Sequence, residues 1–370
     1  MKTIAEDYVL EACGAFPLEG QLVGAVRYGQ GHINDTFCVY LQTEAGDCLR
    51  YIMQRINTDT FKDPDGLMEN IVGVTDFLRD ASRKSGGNPD RETMTVVRTK
   101  DGKNYYRDSV GSCWRVYPFV ENTVCLQSVE KPEQFYESAR AFGNFQRLLS
   151  DFDASKLHET IYKFHDTRNR YKAFEEAVLR DAAGRSSSVQ AEIDFVRARI
   201  KDVGYLMDKL DRGELPLRVT HNDTKLNNVL LDKDSGKGIV VIDLDTVMPG
   251  LSLHDYGDSI RFGANTNAED EPDLAKVNFS QELFDIYTKG FLETAGASLT
   301  KAEKDNLPWG ARLMTLECGI RFLTDHLDGD KYFRTHRPNH NLDRARTQFK
   351  LVQDMEAQWD ELNAIVAKYI

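Results

Sequence analysis

Apolar and polar positions change their period once along this chain. Up to about residue 120 the apolar residues come in short β-rich runs, at 22–28, 36–41, 49–56, 93–98 and 114–120. Gly29-Gln30-Gly31 and Ala45-Gly46-Asp47 break these runs. Such runs between turn residues predict antiparallel strands. One helix is expected among them over 67–79, where Leu67, Ile71, Val74 and Leu78 recur at helical spacing. Beyond Glu121 the helical period takes over, at 132–150, 307–327 and 344–367, and most regularly at 188–210, where Val189, Ile193, Val196, Ile200, Val203, Met207 and Leu210 alternate spacings of four and three. A single β island, 215–247, interrupts the helices. The expected class is α+β, with a β-rich lobe over 1–121, a helical lobe over 122–370, and a ligand site in the cleft between them.

Composition narrows the possible partners. The 370 residues hold 47 Lys and Arg against 59 Asp and Glu, a net charge of −12. A chain this acidic lacks the broad basic footprint of a nucleic-acid or anionic-membrane binder, although a local pocket for a small anion is allowed. No run approaches the ~20 apolar residues of a membrane span. The first residues carry Glu6 and Asp7 where a signal peptide needs an apolar stretch. Cys13, Cys38, Cys48, Cys113, Cys125 and Cys318 form no C-x-x-C pair and read as reduced thiols. The expectation is a soluble, cytoplasmic protein.

The chemistry lies in the β island. Thr220-His221-Asn222-Asp223-Thr224-Lys225-Leu226-Asn227-Asn228 separates two apolar strands, and the second strand ends in Ile242-Asp243-Leu244-Asp245. Phosphoryl transfer needs a carboxylate to orient the acceptor hydroxyl, hard oxygen ligands for Mg²⁺, and a second carboxylate bridging metal and phosphates. His-x-Asp-x-x-x-x-Asn, a hairpin and Ile-Asp supply these groups in kinase catalytic-loop order, and the hairpin returns Asp243 towards Asp223. Any one of these residues alone would read as a solvated turn or a polar strand end. The ordered set points to a kinase. P-loop, H-E-x-x-H and G-x-S-x-G motifs are absent.

This set resembles the aminoglycoside phosphotransferase and choline kinase superfamily of protein-kinase-like small-molecule kinases. Further stretches are similar to the N-acetylhexosamine 1-kinases: Tyr28 to Asn34, Tyr51 to Gln54, Trp114 to Tyr117, Phe164 to Thr167, Met248-Pro249-Gly250, Gly257 to Gly263, and Glu317-Cys318-Gly319 with Arg321-Phe322. The similarity spans about residues 15 to 360. It implies a bilobal protein-kinase-like fold, with ATP as phosphoryl donor, Mg²⁺ as cofactor and the anomeric hydroxyl of N-acetylglucosamine or N-acetylgalactosamine as acceptor. Carried over residue by residue, it implies Asp223 as catalytic base and Asn228 and Asp243 as metal ligands. His32, Arg321 and Tyr332, with Asp223, would bind the sugar, and Asp255 would steady the catalytic loop.

Several positions keep two readings. Gly29 and Gly31 suit a loop covering phosphates and equally a plain hairpin turn. Phe119, within the strand 114–120, and Glu121, just after it, lie where backbone groups would be presented to adenine, or they simply belong to an ordinary core strand and its end. Lys225 is close to the phosphates by spacing, and Asp245 is either a supporting residue or the metal ligand in place of Asp243. Arg321 lies one turn from both Glu317 and Asp325, which also fits a salt-bridge stripe on an exposed helix. The third-strand lysine of kinases is absent. Its slot is Gln54, followed by Arg55, which is either a phosphate clamp or a solvent-facing strand residue. Two other functions share these features: a kinase of this fold for choline, ethanolamine, homoserine or another small alcohol, and a non-catalytic pseudokinase scaffold.

Overall fold

The computed structural model describes residues 4–29 and 33–370. Strands β1 (Gln21–Arg27), β2 (Asp35–Gln42), β3 (Cys48–Ile56), β4 (Tyr106–Arg107) and β5 (Cys113–Pro118) form an antiparallel sheet in the order β1-β2-β3-β5-β4. Alternation along the strands sends neighbouring side chains to opposite faces. Val39, Met53, Trp114 and Val116 face helix α1 (Ile4–Ala15), where Val9 and Ala12 close a buried cluster. Ile56, Cys113 and Tyr117 face the other way, onto Leu67, Ile71 and Val74 of α2 (Pro64–Lys84). The same cluster takes in Val219, Leu244 and Val247 from the β island, so apolar packing joins the sheet to the rest of the chain. Helix α3 (Pro89–Glu92) follows α2.

Next in the chain is β6 (Thr123–Cys125), which pairs with β8 of the island rather than with the first sheet. The island consists of β7 (Arg218–Thr220), β8 (Val229–Asp232), β9 (Gly238–Val241) and β10 (Met248–Gly250). Around it lie α4 (Pro132–Leu148), α5 (Thr167–Arg180), α6 (Gln190–Arg197), α7 (Tyr205–Asp211), α8 (Ser252–Gly263), α9 (Gln281–Ala295), α10 (Lys301–Asp305), α11 (Leu307–Asp328), α12 (His340–Ala357) and α13 (Trp359–Ala367). The main core is built from Phe135, Tyr256, Tyr287, Phe291, Leu316, Leu323 and Phe349. Helix α8 is buried on nearly all sides. It approaches α11 at Gly257, where an added Cβ would lie 2.3 Å from the Gly310 carbonyl oxygen. No described helix is long and apolar enough to cross a membrane.

Three expected elements differ. Residues 93–98 form no strand, and only Val97 bridges to Val116. The regular helix over 188–210 is broken between Arg197 and Tyr205. There the amides of Arg199, Ile200 and Asp202 bond three residues back, while Arg199 and Asp202 turn to ion pairs with Glu356 and Arg312. The tightened turn shifts the phase, so Leu206 is fully buried while Ile200 is half exposed. The C-terminal helix is likewise two helices meeting at Gln358.

Candidate active site

The catalytic-loop segment leaves β7 and is fastened from three directions. From α8, Asp255 accepts hydrogen bonds from the amides of His221 (2.9 Å) and Asn222 (2.8 Å), and Gln146 of α4 donates to the same carboxylate. Asp258 accepts from the Thr224 amide at 3.0 Å, and Ser259 donates to the Thr224 carbonyl at 2.6 Å. From the strand end, Asn222 donates to the Thr246 carbonyl and Thr246 to the His221 carbonyl, at 2.8 and 2.6 Å. From the α5–α11 side, the His165 ring meets the Asn222 carbonyl at 3.1 Å and Glu317 at 2.8 Å. These bonds hold Asn222 in the left-handed region, φ 64°. Strained backbone of this kind persists only where its surroundings over-determine it.

His221 joins the two halves of the motif. Its Nε2 lies 2.9 Å from the Ile242 carbonyl, and its Nδ1 accepts from the Asp223 amide at 3.3 Å. The ring therefore carries its proton on Nε2, a tautomer assigned from these partners. One buried side chain thus spans from the residue before Asp243 to Asp223. Asp243 itself is left-handed, φ 62°, which turns the chain sharply at the strand end.

Asp223 keeps about 30% of its side chain exposed, whereas Asp255 is 1% exposed. This contrast separates a carboxylate that a substrate can reach from one spent on the loop. Burial would raise the Asp223 carboxyl, but Lys225, with Nζ 2.8 Å away, outweighs it and holds the group below its ordinary value. Asp223 in turn raises the Lys225 ammonium. Asp243 lies open to water but deep among protein atoms, and that depth, then Asp245, then Asp223, push its carboxyl upward.

The donor set suits a hard cation. Asn228 spends its amide nitrogen on the Asp223 carbonyl (2.8 Å) and carboxylate (3.1 Å), which leaves its amide oxygen available as a ligand. Asp243 is crowded by like charge that a divalent ion would relieve. No cluster of three His, Cys, Asp or Glu ligands occurs among the described residues. A metal here would have two protein ligands and take its remaining oxygens from phosphate and water, the usual habit of Mg²⁺.

Asp245 is buried and ion-paired to Arg115 of β5, whose guanidinium also meets Gln54. Burial alone would lower Arg115, but Asp245 overrides it and raises the group. Arg55 pairs instead with Asp35, on the strand face opposite Gln54. Phe119 sends its amide to the Arg50 carbonyl, and the Glu121 carbonyl takes Arg91. The Phe119 carbonyl and the Glu121 amide are left without partners among the described residues. Arg50 lies over the Phe119 ring at 3.8 Å and pairs with the Glu121 carboxylate. Gly29 has φ 77° in open space. Gly31 and His32 lie outside the described residues.

Arg321 does not sit in a salt-bridge stripe. Glu317 is taken by His165 and Thr167, and Asp325 accepts the amides of Lys331, Tyr332 and Phe333. The Arg321 guanidinium lies among the rings of Phe164 (5.0 Å), Phe333 (5.5 Å) and Tyr332 (6.0 Å). Phe164 touches His165, with ring centroids 4.4 Å apart, and His165 touches Asn222. A chain of contacts therefore links Arg321 to the loop bearing Asp223. Arg115, Gln146, His165 and Asp258 were not singled out for these roles from sequence. Arg115 had a signal, a charge between apolar neighbours in a core strand. A separate cavity of about 800 Å³, between the end of α1, the start of α2 and residues 100–107, contains none of these groups.

Residues 25–287 match the phosphotransferase enzyme family. The chain belongs to that family. An aminoglycoside phosphotransferase from Alicyclobacillus acidocaldarius superposes with a TM-score of 0.62 at 14% identity, covering 100% of this chain and 98% of that one. The amicoumacin kinase hAmiN, solved with AMP-PNP and Ca²⁺, gives 0.58 at 13% identity, with 95% and 93% covered. Choline kinase from Cryptosporidium parvum gives 0.57 at 12% identity, with 99% of each chain covered. At these identities the likeness is one of fold, the bilobal protein-kinase-like fold of phosphotransferases.

Proposed function

We propose that this phosphotransferase moves the γ-phosphate of ATP, with Mg²⁺, to the anomeric hydroxyl of an N-acetylhexosamine. The observation that carries the reading is the braced loop that presents Asp223 beside Lys225 and Asn228, next to a strand end bearing Asp243. Asp223, kept ionised by Lys225, accepts the hydrogen bond of the acceptor hydroxyl and then its proton as the oxygen attacks phosphorus in line. Lys225 also faces the charge that builds on the transferred group. Mg²⁺, on Asp243 and the amide oxygen of Asn228, would neutralise the phosphates. The free backbone groups of Phe119 and Glu121 suit adenine, with Gly29 and Gly31 above the phosphates and the lobes, divided at 121/122, closing to exclude water. Asp245 and Asp255 hold the two carboxylate-bearing segments in place.

The acceptor assignment rests on the resemblance, with His32, Arg321 and Tyr332 joining Asp223 around the sugar. Unpaired buried hydroxyls cost about 1–3 kcal/mol each, so a sugar wants a polar ring of this kind. A choline-type acceptor is the second reading, and the rings around Arg321 would suit a quaternary ammonium. A guanidinium already occupies those rings, and it would repel a second cation.

The test is a screen of hydroxyl acceptors with ATP and Mg²⁺, with the product phosphate located by NMR. Phosphate on C1 of a 2-acetamido hexose is expected. Phosphate on C6, or on an amino alcohol, would reject the sugar 1-kinase and leave the kinase standing. Arg321→Ala should raise the sugar KM far more than the ATP KM, and equal rises would remove Arg321 from the acceptor site.

A further inference from the structure

The place of the missing third-strand lysine is filled across the sheet. Gln54 on β3 lies directly opposite Arg115 on β5. The Gln54 side-chain oxygen accepts from Nε and Nη2 of Arg115 at 3.0 and 2.8 Å, and its nitrogen donates to Thr36 at 3.0 Å. Arg115 is 1% exposed, and its Nη1 lies 2.5 Å from Oδ1 of Asp245, which is itself buried. Neither of those two atoms makes an aligned hydrogen bond, so the contact is one of charge, with donor and acceptor capacity to spare. The other Asp245 oxygen takes Asn34, whose own amide oxygen accepts from the Asn57 backbone. One carboxylate, two residues beyond Asp243, is therefore gripped by strand β5 and by Asn34, the residue before β2.

We propose that Arg115 does the work of the absent lysine, as a positioning residue: acting through Asp245, it sets the Asp243 turn where the metal and phosphates of the nucleotide bind. A planar guanidinium can hold Gln54 and Asp245 at once, whereas an ammonium is a compact point charge on a flexible stem. It also balances the carboxylates of Asp243 and Asp245, which would otherwise repel each other across one turn of backbone. Because the pair bridges the two lobes, it couples the sheet that covers the nucleotide to the strand end that holds the metal. The inference rests on the nucleotide half of the proposed function and is independent of the acceptor.

The full chain is titrated calorimetrically with Mg·ADP, and with ADP free of metal, in the absence of any acceptor. Arg115→Lys should weaken Mg·ADP at least tenfold, metal-free ADP less than threefold, and shift the melting temperature by only a few degrees. Binding of Mg·ADP within twofold of wild type, or equal losses with and without metal, would overturn the proposal. If Arg115→Lys melts far below wild type, the exchange Gln54→Lys with Arg115→Gln decides, since it keeps the charge and moves it to the usual lysine strand. Affinity for Mg·ADP within threefold of wild type supports the proposal, and a folded exchange variant weakened tenfold overturns it. A wild-type chain that binds no nucleotide would instead bring down the nucleotide reading, and this inference with it.

Discussion

The two regions on either side of the proposed site are built on different terms. The C-terminal floor buries and cross-bonds the catalytic-loop segment: His221, Asn222, Thr224 and Asp255 are all within 5% exposure and are bonded to α8, to the strand end and to His165. The N-terminal roof leaves apolar surface to water, with Val26, Tyr28 and Ile33 each about half exposed. A floor of this kind holds reacting groups in one geometry before substrate arrives, because each bond lost would strand a buried polar group at about 1–3 kcal/mol. The roof has its own polar bonds, from Arg115 to Gln54 and from Asn34 to Asp245, but they lie beside apolar side chains left open to water. The comparison teaches where the polar bracing is densest: around the loop that carries Asp223.

The sharpest test of the floor is Asp223→Asn. The near-isosteric amide keeps the packing but cannot take a proton, so turnover should fall by ~10²–10⁴, with the melting temperature near wild type. A steady-state assay beside thermal melting checks both, and a variant with half of wild-type turnover would remove Asp223 from the mechanism. Next in size is Gly257→Ala, where the new Cβ meets a backbone carbonyl that cannot rotate away. Overpacking costs about 1–3 kcal/mol, and a backbone atom 2.3 Å away puts this site at the upper end, read as a lowered denaturant midpoint.

Asp255→Asn tests the loop brace. An amide can accept from only one of the two amides Asp255 now serves and turns an NH₂ towards the other, so about 2–3 kcal/mol should be lost. Turnover should fall further than folded fraction, because the loop bearing Asp223 is freed. His254 gives the floor a pH signature. Burial, with His165 beside it, lowers its pKa to about 3. Below the unfolded value of about 6.5 the unfolded chain takes a proton that the folded chain refuses. Stability is therefore full above that pH and falls as pH drops towards 3, at up to ~1.4 kcal/mol per unit. His254→Asn should flatten urea midpoints between pH 7 and 5, and an unchanged slope would place the titration elsewhere. The smallest effect belongs to the roof. Gly29→Ala adds a Cβ with nothing within 4 Å, so only the left-handed backbone objects, at about 1 kcal/mol. A loss as large as that of Gly257→Ala would erase the difference between the two regions.

Much of this was legible beforehand where the cause is local. The β-rich runs of the first sheet, the helix of α2 and the hairpin that carries Asp243 back towards Asp223 all follow from short-range alternation and turn residues. The helix over 188–210 breaks although its periodicity is as good as any in the chain, because Arg199 and Asp202 find partners on other helices that outweigh one more regular turn. The strand at 93–98 failed because β-rich residues need a neighbour, and this segment makes only one bridge. Arg321 misled the local reading in the same way. Its helical neighbours Glu317 and Asp325 look like ion-pair partners, but they are engaged by His165 and by the backbone of 331–333.

By itself, then, the sequence determined the order of elements, the division into a β-rich part and a helical part, and the residue types available for phosphoryl transfer on one short loop. Those properties depend on neighbours a few residues apart, and spacing reports them. Only the tertiary structure decided which charges are spent on the scaffold and which remain free. Asp223, Asp243, Asp245 and Asp255 are the same side chain within 33 residues of sequence. Asp255 is consumed by two backbone amides and Asp245 by Arg115, while Asp223 and Asp243 stay open to solvent. Burial and partners set the role of a carboxylate, and both are supplied by segments far away in the chain.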